Sequence, residues 1–176
     1  MTKQIPLTQG QFATVSDEDY DYLMQWKWCA SKRSDGVRKY VATRLENTGG
    51  KWKTILMHRV VLERMGFDLT GLHSDHIKPM QTLNNTRDNL RVADRYQSGA
   101  NKDKLKNNTS GYIGVSWYKR GGKWVGKIRV KRRLIHLGYF TCKHEAARAY
   151  NQAAILYHGE FAVLNEISPH LSDSVL

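Results

Sequence analysis

Residues 71–102, GLHSDHIKPMQTLNNTRDNLRVADRYQSGANK, decide how this chain is read. The stretch begins with a short polar run that ends on an acid and a histidine, Asp75 and His76. A loop with two adjacent asparagines, Asn84 and Asn85, follows, and Asn89 then opens the apolar run of residues 90–93. That order predicts strand, loop and strand, with a helix over residues 94–102. Neighbouring residues on a regular strand face opposite ways, so Asp75 and His76 serve one site only where the strand ends and its backbone bends.

These residue types suit phosphodiester hydrolysis. The reaction needs positive charge at the scissile phosphate and a base that deprotonates water on the opposite side. Hard cations take oxygen ligands, which a carboxylate or an amide supplies, and histidine titrates near neutrality. The structural alternative for Asp75 is a turn cap or an ion pair with Arg91. Asn84 and Asn85 read as turn formers that shape the loop, and His73 reads as structural.

The charge of the whole chain agrees with a polyanionic partner. Its 28 Lys+Arg and 16 Asp+Glu give a formal charge of +12, more than solubility requires. A membrane surface is the competing polyanion, but the basic residues follow a strand-like pattern and not an amphipathic helix. The excess is local: residues 102–133 hold eleven Lys or Arg against one acid, Asp103. Two cysteines, Cys29 and Cys142, are too few and too far apart for a zinc cage and point to a reducing compartment. No apolar leader segment and no run near the ~18 residues of a membrane span is present. The expectation is a soluble, cytoplasmic protein.

Before the central stretch, residues 1–70 read as a small mixed α/β region. Strands are expected over residues 11–15, 26–31, 40–45 and 51–57, broken by Asp17-Glu18-Asp19, Ser34-Asp35-Gly36 and residues 47–50. A helix with Ser16 as its N-cap runs to about Gln25, and a second covers residues 58–65. Trp26, Trp28 and Trp52 read as core, with base stacking as the functional alternative. His58 reads as bonded within the fold, and Arg59 as a candidate phosphate contact.

After it, residues 103–109 read as a basic linker, residues 110–166 as a second domain and residues 167–176 as a tail. Three strands over residues 112–119, 123–131 and 134–140 are joined at Arg120-Gly121-Gly122 and Arg132-Arg133. Trp124, Gly126, Ile128 and Val130 share one face of the middle strand, and Val125, Lys127, Arg129 and Lys131 the other. A helix over residues 144–158, capped by Thr141 and ended by Gly159, sets Ala146, Ala149 and Ala153 against the apolar face. The expected fold class is α+β: a mixed N-terminal region, a ββα motif, then a three-stranded antiparallel sheet on one helix.

Two resemblances attach to these segments. Asp75-His76, Asn84-Asn85 and Asn89-Leu90-Arg91, within residues 72–101, resemble the HNH nuclease motif, a ββα-metal fold of phage and intron homing endonucleases. The resemblance implies an endonuclease over residues 1–102, with His76 as general base and Asn89 as the asparagine that holds the histidine and its loop. It implies Asp75 as ligand of one divalent metal, Mg2+ or alternatively Mn2+. The family's last motif position is usually His or Asn, and this chain has Ser98, with Asp94 or Asn101 as substitutes on the same helical face.

Residues 110–165 resemble the APETALA-two/ethylene-response-factor DNA-binding domain through SGYIGVSW, GKW, KIRV, HLGYF, EAARAYNQAAI and GEFAVLN. That resemblance implies double-stranded DNA as partner. Base reading would fall to Ser116, Tyr118, Lys127, Arg129, Leu134 and His136, and phosphate contacts to Lys119, Arg120, Lys123, Lys131, Arg132 and Arg133. Together they imply a site-specific DNA endonuclease, monomeric or a weak dimer, with no membrane partner. Ser98 keeps an alternative open, a DNA-binding regulator whose nuclease motif has decayed. A structured-RNA binder is a third reading, motivated by charge and aromatics.

Overall fold

The computed structural model describes residues 1–32, 40–100 and 108–167, and the chain divides into two compact units, residues 1–101 and 102–176. Each is mixed or sheet-rich, so the chain as a whole is α+β. Residues 34–36, Asn101, Lys102 and the expected linker up to residue 107 lie outside the described residues, as does the end of the chain from residue 168.

In the first unit, β1 (Thr2–Pro6) and β2 (Phe12–Ser16) form an antiparallel pair, and α1 (Asp17–Leu23) follows directly. The sequence pattern did not foreshadow β1, because among its five residues only Ile5 turns inward. Ser16 occupies the N-cap position, but its hydroxyl makes no capping bond and instead accepts the backbone N–H of Arg87, 3.0 Å away. The chain leaves α1 through a turn at Trp26, and the indole of buried Trp28 donates to the Leu23 carbonyl at 2.8 Å. The expected strand over residues 26–31 therefore begins only at β3 (Cys29–Lys32).

β3, β4 (Tyr40–Thr48) and β5 (Lys51–Leu56) form an antiparallel sheet. The β4–β5 turn places Gly49 and Gly50 at positive φ, and the Gly50 N–H donates to the Asn47 side chain. Met57, read as strand, is the first residue of α2 (Met57–Arg64), which buries Met57, Val61 and Leu62 with Ile5, Val15, Leu23, Trp28 and Leu90. The three tryptophans separate. Trp28 is core and Trp26 is partly buried under the Arg44 guanidinium, but Trp52 is 68% exposed on β5, against the core reading.

The central stretch forms β6 (His73–His76), β7 (Asn84–Asn85), β8 (Leu90–Ala93) and α3 (Arg95–Ala100). β6 and β8 pair antiparallel, with Asp75 opposite Arg91 and His76 opposite Leu90. Asn84 and Asn85 are not merely loop. They pair parallel to Thr14 and Val15 of β2, a partner some seventy residues earlier.

In the second unit, β9 (Val115–Tyr118), β10 (Lys123–Val130) and β11 (Arg133–Phe140) make one antiparallel sheet with β10 in the middle. The β10–β11 turn is Lys131-Arg132, one residue earlier than expected, closed by the Val130–Arg133 pair, and both turn residues have positive φ. α4 (Lys143–His158) packs on the sheet through Ala146, Ala147, Tyr150, Ala153 and Ala154. Its N-cap is Cys142 and not Thr141. The fit is close at Gly114, where φ is +72° and an added Cβ would lie 2.2 Å from the Tyr150 ring. No helix among the described residues is long and apolar enough to cross a membrane.

Candidate functional site

His76 ends β6, so the chain can turn directly after it, as the adjacent acid and histidine require. The Ile77 N–H donates to the Asn89 carbonyl, and the Lys78 N–H to the Asn89 side-chain oxygen at 3.1 Å. The Asn89 amide nitrogen donates to the Asn84 carbonyl at 2.7 Å. Asn89, 3% exposed, thus clasps both arms of the loop between β6 and β8.

The bond to the histidine ring comes from a different asparagine. His76 Nε2 lies 3.0 Å from Oδ1 of fully buried Asn85, whose amide nitrogen faces the Met57 sulfur at 3.3 Å. An amide oxygen only accepts, so Nε2 carries a proton toward Asn85, and in the neutral ring the lone pair is then on Nδ1. The expected division of labour is therefore revised: Asn89 holds the loop and Asn85 fixes the ring. His58, also buried, packs edge-on against His76 with centroids 4.8 Å apart. The sequence signal for Asn85 lay in its position beside Asn84, but its function depends on the pairing of β7 with β2.

A buried clamp holds that loop from outside. Asp19 of α1 is fully buried and accepts Arg64 Nε at 2.8 Å, Arg87 Nε at 2.7 Å and Arg87 Nη2 at 2.8 Å. Burial alone would raise the Asp19 carboxyl, but the hydrogen bonds from Arg87 and Arg64 outweigh it and hold it below the usual carboxylate value. Charge-assisted, bidentate contacts of this kind set geometry as well as energy.

Asp75, buried beside His76 in sequence, is contacted by Arg91, whose Nε lies 3.1 Å from its Oδ2. The alternative read from sequence, an ion pair with Arg91, is therefore present. Asp94, the candidate substitute ligand, caps α3: its Oδ1 accepts the N–H groups of Tyr96 and Gln97, while Gln97 Oε1 accepts the Asp94 N–H. That is a capping box at the start of α3. Ser98 sits on α3, half-buried, and Asn101 lies outside the described residues. Among the described residues no group of three or more His, Cys, Asp or Glu converges. One carboxylate and a hydroxyl are hard oxygen donors that fit an Mg2+-type ion, which keeps several waters and takes further oxygens from a phosphate. Arg59, the candidate phosphate contact, donates to the Leu69 carbonyl and to Glu63.

On the second unit's sheet, the face away from α4 carries Ser116, Tyr118, Lys123, Lys127, Arg129, Leu134 and His136, with Lys127 opposite His136 and Arg129 opposite Leu134. Lys119, Arg120, Lys131, Arg132 and Arg133 lie exposed at and beside the two turns. One residue of this face was missed. β11 carries a bulge: Gly126 pairs with Gly138 but Lys127 with His136, so Leu137 is extra. The bulge brings Tyr139 round beside His136, and the interior Gly138, at φ +136°, was the signal for it.

The two units define a class, a ββα motif followed by a three-stranded sheet on one helix, and comparison with known proteins adds to it. No protein-family model matches the chain. Over 92 residues the chain is 33% identical to Protein 3.8 of Escherichia phage T7, covering 52% of this chain and 74% of that protein, and it belongs to the family of Protein 3.8. It is 26% identical over 166 residues to the Uncharacterized HNH endonuclease L560 of Acanthamoeba polyphaga mimivirus, covering 90% of this chain and 77% of that one. It is also 40% identical over 60 residues, 34% of its length, to APETALA2-like protein 2 of Oryza sativa subsp. indica, and spans 14% of that protein.

Proposed function

We propose that this chain is a site-specific DNA endonuclease in which the second unit addresses a target in double-stranded DNA and the ββα motif cuts a phosphodiester. The observation that carries the reading is the His76 ring, buried at a strand end with Nε2 donating to Asn85. Nδ1 then serves as general base: it takes a proton from water, the resulting hydroxide oxygen bonds to phosphorus, and one P–O bond to the leaving oxygen breaks. Asn89 keeps the histidine's loop closed during that transfer. Asp75, with Ser98 in support, would hold a single divalent ion, Mg2+ or Mn2+, which would supply charge neutralisation at the phosphate. The similarities to a protein named as an HNH endonuclease and to a plant APETALA2-like protein support a nuclease joined to a DNA-binding domain.

The sheet reads bases through Arg129, Lys127, Ser116, Tyr118, Leu134 and His136 in the major groove, which admits a β-ribbon. Lys119, Arg120, Lys123, Lys131, Arg132 and Arg133 hold phosphates. With one site per chain, a monomer nicks, and a double-strand cut requires a weak dimer or a second event. A second reading, a DNA-binding regulator without cleavage, draws on the Asp75–Arg91 pair and on Ser98. Supercoiled plasmid carrying the native locus separates the two. Incubation with Mg2+ or Mn2+ should give open-circular product that EDTA abolishes. Intact plasmid under all metals with a retained footprint would establish the regulator instead.

A further inference from the structure

The exposed face of the β9–β10–β11 sheet changes character along its length. Toward the Lys131-Arg132 turn it presents Lys127, Arg129 and Leu134. At the other end, where Lys123 pairs with Tyr118, three rings gather: Tyr139 lies 4.7 Å from His136 and 5.5 Å from Tyr118, centroid to centroid. Tyr139 is 55% exposed and Tyr118 40%. The Tyr118 ring is seated on the turn backbone, since a Cβ at Gly121 would come within 2.7 Å of it. Tyr139 joins the group only through the bulge at Leu137, which puts it opposite Val125 on the same face.

We infer that the cluster centred on Tyr139 is a thymine-reading element. This rests on the proposed placement of the sheet in the major groove. Thymine alone presents a methyl group there, and apolar side chains recognise it by contact. Tyrosine and histidine rings offer an apolar body, while their polar edges can bond the adenine of the same pair. The spacing is also suitable. From Arg129 to Val125 the strand advances about 13 Å, equivalent to about four base pairs at ~3.4 Å each. The thymine therefore falls roughly three to five base pairs from the position that Arg129 reads. Stacking on an unpaired base is the rival use of such rings.

The test starts from a random-sequence duplex pool selected on the full chain, giving the preferred duplex. Each thymine in that duplex is then replaced singly by uracil, which removes only the methyl group, and binding is measured for the wild type, Tyr139→Ala, Tyr139→Phe and Arg129→Ala. At one or two thymines uracil should weaken wild-type binding about fourfold, the worth of one buried methyl group. Tyr139→Phe should keep that sensitivity and Tyr139→Ala should lose it. A silent uracil scan, equal sensitivity in Tyr139→Ala, or tighter binding to the single strand than to the duplex overturns the assignment. If Arg129→Ala relaxes the selected sequence and Tyr139→Ala does not, thymine reading alone fails. If neither variant changes it, or the pool yields no preferred sequence, the placement of the sheet fails with it.

Discussion

Asp19→Ala is expected to lower the melting temperature of residues 1–100 by about 12–24 °C. The carboxylate accepts three hydrogen bonds from Arg64 and Arg87 in a fully buried position. Breaking such a pair from one side costs about 3–5 kcal/mol. Both arginine side chains keep over a quarter of their surface exposed and can rehydrate, which favours the lower end, about 3 kcal/mol. For a unit of this size each kcal/mol moves the midpoint by about 4–8 °C. Residue-resolved hydrogen exchange on the full chain, beside a thermal melt, assigns the loss to the first unit. The pH dependence follows from the depressed Asp19 carboxyl. Its contribution is fully present above the unfolded value of about 3.9 and is lost as pH falls through the lower folded value. The gap between wild type and Asp19→Ala should therefore be constant from neutrality to about pH 5 and close in stronger acid. A variant melting within about 2 °C of wild type, well under one kcal/mol, or a gap that persists in strong acid, would refute the clamp.

Other outcomes bear on the site and the sheet. Asn85→Ala leaves the His76 Nε2–H without its acceptor, a loss of about 1–3 kcal/mol, so single-turnover nicking should fall about 5- to 150-fold with DNA affinity unchanged. Ser98→Asn places an amide oxygen on α3 and should reduce the Mg2+ needed for half-maximal nicking by about tenfold. Lys131→Asn with Arg132→Gly suits the positive φ at both turn positions and should stabilise the second unit by about 1–2 kcal/mol, seen as a higher urea midpoint. The same pair of changes removes two phosphate contacts and should flatten the salt dependence of DNA binding by about two units of slope.

The local parts of this architecture were legible in the residues. Asp75-His76 ends a strand, Asn89-Leu90-Arg91 enters the next, and Gly159 stops α4, because each depends on near neighbours. What escaped depends on distant partners or on a shifted phase. Asn85 was read as loop chemistry because its strand partner, Val15, comes seventy residues earlier. Ser16 was read as a cap, but its hydroxyl is taken by Arg87. Tyr139 was missed because strict alternation fails at the Leu137 bulge. Trp52 was assigned to a core that Trp28 fills.

The central claim is that His76 performs the proton transfer in a cut directed by the sheet, and single-turnover cleavage by His76→Ala tests it most directly. The substrate is a duplex containing the footprinted target, with Mg2+ present and protein in excess, and the footprint of each protein is measured in parallel. Loss of a general base predicts a rate lower by about 10²- to 10⁴-fold, with the footprint and affinity of the wild type retained. Cleavage at the wild-type rate by His76→Ala would contradict the account.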